Sequence, residues 1–353
     1  MKLARIAAFF SLTFILATGV AKAKTTEMPS LASNIDKLSL SKIMPIDNGN
    51  NSTNGNLIRG NIILAHSPNE VRFKDAKLKA AIRQQLNIPN GKRLTLEALQ
   101  RVKHLDASNK GITSITSLEG IQALRNLTTL NLYRNSISDL KPLTGLTKLT
   151  GLSLELNQIS DVKPLAGLTK LTSLQLDSNK ISDLKPLAGL TKLTSLHLGQ
   201  NQISDVKPLA SLTNLTSLFL SNNKIRDVKP LAGLTKLTCL ELSANQISDL
   251  KPLTRLPKLT WLVLNSNKIS DLKPLVGLTN LTRLWLTNNQ ISDVKPLAGL
   301  TNLIWLLLNE NQISDVEPLA GLTNLTELVL LQNKIYNCQL LSQKLRASCP
   351  NYN

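Results

Sequence analysis

Chemistry needs particular side chains at particular separations, and in this chain of 353 residues the soft ligands and nucleophiles are few. Histidine occurs only as His66, His104 and His197, too scattered to make a metal triplet. Cysteine occurs only as Cys239 and the C-terminal pair Cys338 and Cys349. A serine or cysteine nucleophile needs a base within hydrogen-bond reach, and no spacing in the chain supports a Ser-His-Asp or Cys-His arrangement. Glycine-rich phosphate loops are absent as well. Aspartate does recur, at Asp139, Asp161, Asp183 and onward to Asp315, and carboxylates in series could hold calcium. No second acidic ligand repeats beside them, so each is expected to accept hydrogen bonds from its own turn. This inventory predicts no catalytic residue, no metal and no cofactor: a protein that is not an enzyme.

Side chains suited to binding are better represented. All three tryptophans, Trp261, Trp285 and Trp305, fall within one short region, and an indole ring buries a large apolar area when a partner covers it. Whether these rings are core or contact depends on the elements that carry them. Those elements repeat. Asn135, Asn157, Asn179 and so on to Asn333 recur every 22 residues in ten regular units, preceded by an irregular unit around Asn109 that carries an insertion. Each regular unit reads L-x-x-L-x-L-x-x-N-x-I, as in Leu171, Leu174, Leu176, Asn179 and Ile181, which is the leucine-rich-repeat signature.

Around L-x-L the apolar residues alternate, so a short strand turns Leu174 and Leu176 inward and Ser173, Gln175 and Asp177 outward. The asparagine, with a donor and an acceptor on one side chain, is placed to satisfy backbone groups where each coil leaves the strand. In the following D-x-K-P-L segment, proline sets φ for a first helical turn and needs no amide hydrogen, so short 3₁₀ or helical turns are expected opposite the strands. Because turns take more width than strands, the stack is expected to curve with its sheet concave. The fold class read from the sequence is α/β: a right-handed leucine-rich-repeat solenoid with a concave parallel sheet.

No repeat buries its leucines alone, so both ends need covers. In residues 71–104, Phe73, Leu78, Ile82 and Leu86 share one helical face with Asp75 in the first turn, and Thr95 caps a shorter helix carrying Leu96, Leu99 and Val102. This is read as an N-terminal helical cap, followed by repeats over 105–335. At residues 336–353 the template stops: Asn337 stands where Asp recurs, Leu340 where Pro recurs, and a helix-like run Gln339 to Arg346 forms a short C-terminal cap.

With its 22-residue N-x-I-S-D-(L/V)-x-P-L-x-x-L-T-x-L unit and the F-x-D-x-x-L of Phe73, Asp75 and Leu78, the chain resembles the internalin-type leucine-rich-repeat proteins of bacteria over about residues 71–335. The resemblance implies an exported, non-enzymatic, protein-binding solenoid. Neither a wall-sorting motif nor an immunoglobulin-like module follows the repeats, so the host-cell adhesion of some relatives is not implied.

By strand parity the three tryptophans fall on outward slots of consecutive repeats and are read as contact, in one patch with Val263, Leu307, Val329 and, further along, Phe219. Arg283, Glu241 and Glu327 occupy outward slots of the same region. Earlier repeats carry the bland series Gly151, Ser173, Ser195 and Ser217 in the first such slot. The C-terminal half of the concave face is therefore the expected partner-binding site. Protein is the leading ligand; carbohydrate stacked on the rings, or an envelope spacer with no ligand, are the alternatives.

The formal charge is +18, and Lys2, Arg5, an apolar run Ile6 to Ala17 and Ala21-Lys22-Ala23 read as an export signal whose removal with residues 1–23 lowers it from +18 to +15. Residues 24–70, with DNGNNSTNGN at 47–56, read as a polar arm. Acids Glu155, Asp177, Glu241, Glu310 and Glu327 outnumber Arg134 and Arg283 on the strand face, while the lysines sit beside proline, as in Lys141 and Lys163, without interleaved aromatics. Nucleic acid is not the expected partner. Cys338 and Cys349 flank the terminal helix and are expected to pair, leaving Cys239 as an unreactive free thiol. No transmembrane segment is expected once the signal is removed; the protein is expected to be secreted, periplasmic or on the cell surface.

Overall fold

The computed structural model describes residues 71–112, 120–346 and Cys349. The expected export signal, the polar arm with His66, and residues 113–119 of the irregular first unit lie outside these. Eleven three-residue strands run in parallel in chain order, from β1 (His104–Asp106) and β2 (Thr129–Asn131) through β3 (Gly151–Ser153) to β11 (Glu327–Val329). Leu130, Leu152 and Leu174 face one another across β2, β3 and β4 (Ser173–Gln175), so the register advances by one repeat per strand. Each strand buries its central residue and shows its first and third to the other face, as parity requires.

The interior is made of stacked aliphatics. In one coil Leu171, Leu174, Leu176, Ile181, Leu184, Leu187 and Leu190 are at most 1% exposed, each contributing roughly 1.5–3 kcal/mol by leaving water. Opposite the strands the Lys-Pro-Leu segments form 3₁₀ turns, for example Lys141–Leu143 with proline in the first turn and Leu143 buried. The preceding aspartate prepares each turn: Asp139 Oδ1 accepts from the Lys141 amide at 2.9 Å, and Asp161 and Asp183 do the same for Lys163 and Lys185. The repeating acid is thus a turn former, with its carboxylate engaged locally.

The asparagine ties neighbouring coils together. Asn157 Nδ2 donates to Leu154 O in its own coil and to Leu132 O in the coil before, both at 3.0 Å, while its Oδ1 accepts from Ile137 N at 2.9 Å. The pattern recurs at Asn179 and onward. A threonine series adds a second seam: Thr150 Oγ1 donates to Thr128 O, Thr172 to Thr150 O and Thr194 to Thr172 O, at 3.1–3.2 Å.

The residue before each asparagine departs from the sequence reading. Arg134, Leu156, Ser178 and their equivalents through Gln332 have φ between 51° and 58°, the left-handed region. These positions are turns, not strand slots, so Arg134 and Glu310 do not belong to the sheet face. For a non-glycine residue this conformation costs roughly 1–2 kcal/mol in isolation; here the amide still donates onward, as Leu156 N does to Asp177 O at 3.0 Å.

At the first end, α1 (Ala76–Gln85) begins after Asp75, which is the N-cap and accepts from Leu78 N at 2.8 Å, not a first-turn residue as the sequence suggested. Leu78 and Ile82 are fully buried and α1 packs against β1. Thr95 caps α2 (Leu96–Gln100), which buries Leu99 but leaves Leu96 exposed. At the other end Asn337 replaces the turn aspartate and reaches back, donating to Asp315 Oδ1 at 2.7 Å and accepting from Val316 N at 3.0 Å. The expected continuous helix from Gln339 is broken: a 3₁₀ turn, Cys338–Leu340, precedes α3 (Gln343–Arg346), because the backbone extends at Leu341 to bury that side chain. A disulfide joins Cys338 to Cys349.

Candidate functional site

Parallel register lines up the outward slots of successive strands. One row runs Cys239, Trp261, Arg283, Trp305, Glu327 across β7 (Cys239–Glu241), β8 (Trp261–Val263), β9 (Arg283–Trp285), β10 (Trp305–Leu307) and β11. The adjacent row runs Glu241, Val263, Trp285, Leu307, Val329. All three tryptophans are half-buried on this outer face. The Trp261 and Trp285 rings meet edge to face with centroids 5.8 Å apart. Between Trp261 and Trp305, the Arg283 guanidinium lies 5.7 Å from one ring centroid and 5.1 Å from the other, both within cation–π range.

Two expected members of the patch sit differently. Val263 points outward by register but is only 3% exposed: Trp261 on its own strand and Trp285 directly across from it overshadow the small side chain, so it supports the rings and offers no surface. Phe219, on β6 (Ser217–Phe219), stacks on His197 with centroids 4.2 Å apart and belongs to an earlier group. Leu307 and Val329 remain half-buried and accessible, Glu327 is exposed, and half-buried Glu241 accepts from Ser243 N at 3.1 Å. Burial and the Glu241 carboxylate push the Cys239 thiol up to about 12, with Arg283 pulling slightly the other way; at neutral pH it is a neutral small side chain.

The earlier half of the face holds a polar group that includes Ser195 of the bland first-slot series. Ser195 Oγ lies 3.2 Å from His197 Nε2 on β5 (Ser195–His197), and His197 Nδ1 lies 3.6 Å from Asp177 Oδ2 in the neighbouring coil. By residue type this is the Ser-His-Asp arrangement that spacing did not support, assembled by cross-strand register. Its electrostatics are wrong for general-base work. Burial lowers the imidazole to about 4, leaving a weak base, and raises the Asp177 carboxyl to about 7, an effect the Gly199 amide at 2.7 Å opposes and the Glu155 charge reinforces. The 3.6 Å gap is too long for a hydrogen bond, and with a neutral histidine it is not an ion pair. Ser195 N donates to Thr172 O within the sheet and so cannot stabilise an oxyanion. Nearby Glu155, expected on the outward strand face, is 4% exposed; burial raises its pKa while the Ser153 hydroxyl, 2.9 Å away, lowers it. Acids in the third outward slot of adjacent repeats were the signal available in the sequence.

Among the described residues no cluster of three histidine, cysteine, aspartate or glutamate side chains is arranged to hold a metal ion, and no helix is long and apolar enough to cross a membrane.

A family profile described as leucine-rich repeats (two copies) matches residues 100–146, 125–167, 147–189, 169–211, 191–231, 213–255 and 257–299. No curated protein matches the chain. Among solved structures, the internalin InlF of Listeria monocytogenes is 36% identical with a TM-score of 0.58, over 78% of this chain and 94% of that one. Internalin C2 of the same species is 44% identical with a TM-score of 0.59, over 61% of this chain and 94% of its own. A plant peptide hormone receptor in complex with RGF2 is 28% identical with a TM-score of 0.55, over 61% of this chain and 38% of that chain.

Proposed function

This chain belongs to the internalin-type leucine-rich-repeat proteins of bacteria, and on that premise we propose that it is a non-enzymatic binding protein that engages a protein partner through the later half of its open sheet. The observation that carries the reading is the gathering of every tryptophan in the chain on three neighbouring strands, outward and only half-covered. Tryptophan and arginine are the side chains in which binding energy concentrates, and rings already packed against one another lose little freedom when a partner covers them. Carbohydrate stacked on the rings is the weaker alternative, because the exposed Arg283 cation held against Trp261 and Trp305 suits a charged partner better than a neutral sugar.

We place this activity outside the cytoplasm, as a secreted, periplasmic or surface protein. The export-like residues 1–23 and the Cys338–Cys349 disulfide support that placement, since such bonds persist in oxidising compartments. The test is site-specific photo-crosslinking on the mature chain. A crosslinker at position 307 is expected to trap one protein that is lost in Trp261→Ala and Trp305→Ala, while a crosslinker at position 207, in a 3₁₀ turn, traps none. Equal trapping at both positions, or trapping indifferent to both tryptophans, defeats the reading.

A further inference from the structure

The row through the tryptophans specifies more than an apolar patch. Arg283 is exposed, has two indole rings against its guanidinium, and has no carboxylate partner among the described residues. Rings on both sides steady the planar fork, while the residue stays exposed to solvent. A guanidinium so presented matches a carboxylate through paired hydrogen bonds, and it repels lysine or arginine. The acids of the face lie to either side: Glu327 two strands from Arg283 in the same row, and Glu241 two strands away in the opposite direction, in the adjacent row. Trp305 and Trp261 stand between the cation and those acids, so the face reads negative, aromatic, positive, aromatic, negative.

Resting on the binding function proposed above, we infer that the site takes an extended peptide segment crossing the strands, with an aspartate or glutamate seated on Arg283 and a lysine or arginine on each flank facing Glu241 and Glu327. Strands lie about 4.8 Å apart, so Glu327 is roughly 10 Å from Arg283, and an extended chain rises about 3.3 Å per residue. That distance falls between two and four residues, the even spacings that keep both side chains on one face. Glu241 is two strands away and also two residues along, on the order of 12 Å, closer to four residues than to two. Side chains of an extended chain alternate, so only even spacings face the sheet together: the motif is a central acid with a basic residue four positions to either side, its flexible side chain taking up the excess length, and with apolar residues at the second positions between, lying on Trp261, Trp305 and Leu307. Opposite charges at every position give specificity, because a segment of the reversed pattern meets like charge three times.

The experiment is selection of a displayed random dodecapeptide library on the mature full chain, with affinities of the enriched peptides then measured on variants. Enrichment of the base-acid-base pattern is expected, with affinity falling about tenfold or more in Arg283→Gln and, in selection on Arg283→Glu, replacement of the central acid by a base. Both changes are at an exposed side chain, so the fold is retained, and circular dichroism checks it. Peptides that enrich, require Trp261 and Trp305, and show no central acid overturn this inference while leaving the binding function standing. A selection in which no peptide depends on the tryptophans overturns both. Binding of acidic oligosaccharides on a glycan array, abolished by Arg283→Gln and without peptide enrichment, overturns the choice of a peptide.

Discussion

The earlier and later halves of the open face share one backbone, one register and the same buried leucines, yet they treat their outward slots in opposite ways. Around β4 and β5 the polar side chains turn on one another: His197 lies under Phe219, Asp177 accepts the Gly199 amide, and Glu155 is removed from water. Around β8 to β10 the outward residues are large and rise above the sheet, holding a cation at their centre. The first arrangement closes on itself at an electrostatic cost, with Glu155 Oε1 and Asp177 Oδ2 buried without a hydrogen-bond partner in the protein, as is the Trp261 indole nitrogen in the second. The second leaves ring faces and a charged fork for something else to cover. In a solenoid the interior is consumed by stacking, so specificity resides in the slots that stacking does not use.

The contrast is broken most directly by exchanging large side chains for small ones on each half. Trp261→Ala combined with Trp305→Ala should weaken partner binding by about 3 kcal/mol, whereas Ser173→Ala and Ser217→Ala should change it by less than about 0.5 kcal/mol; titration calorimetry with the crosslinked partner measures both, and similar losses would erase the distinction. Next in size is the stability of Asp177→Asn. In the unfolded chain this carboxyl ionises near 3.8 and in the folded chain near 7, so the native state holds the extra proton and stability falls as pH rises through that window. The variant should therefore be more stable than the parent at pH 8, by about 1–2 kcal/mol, with the advantage vanishing toward pH 4 in urea titrations. His197 acts with the opposite slope: lowered from 6.5 to about 4, it removes stability as pH falls from 6.5 toward 4. The Asp177→Asn protein should show that loss undisguised, and His197→Gln should abolish it.

A smaller effect is expected at Leu156, half-exposed apolar with φ at 53°. Leu156→Asn should raise stability by about 0.5–1 kcal/mol, because asparagine tolerates the left-handed region; thermal melts decide. The smallest is kinetic: native Cys239 should react with a maleimide at pH 8 far more slowly than after unfolding, since its thiol is held near 12.

Strand parity, the turn role of Asp139 and its equivalents, and the use of Asn157 as both donor and acceptor to backbone were legible because each follows from one repeat taken alone; that Asn157 reaches the coil before was not. The left-handed residue was not: its occupants include Arg134, Leu156, Gln200 and Glu310, none with a preference for positive φ, and only Asn222 and Asn288 hint at it. Nor was the Asp177, His197 and Ser195 group, since Asp177 and His197 meet only after one coil is laid against the next. Val263 shows a further limit. Its direction follows from alternation, but its concealment depends on the bulk of Trp261 and Trp285, and hence on neighbours' volumes. Likewise the break at Leu341 accompanies burial of its side chain in a core that only the finished stack supplies.

Because each asparagine spans its own coil and the one before, the junctions between regular repeats are chemically alike, and a whole 22-residue unit could be spliced out or added among them with the same bonds re-forming at the seam. The molecule is in that sense a ruler with fixed graduations. The gap between the His197 cluster and the Arg283 clamp can change only in steps of one strand spacing, about 4.8 Å, so a partner long enough to touch both would sense the number of coils as a vernier senses its divisions.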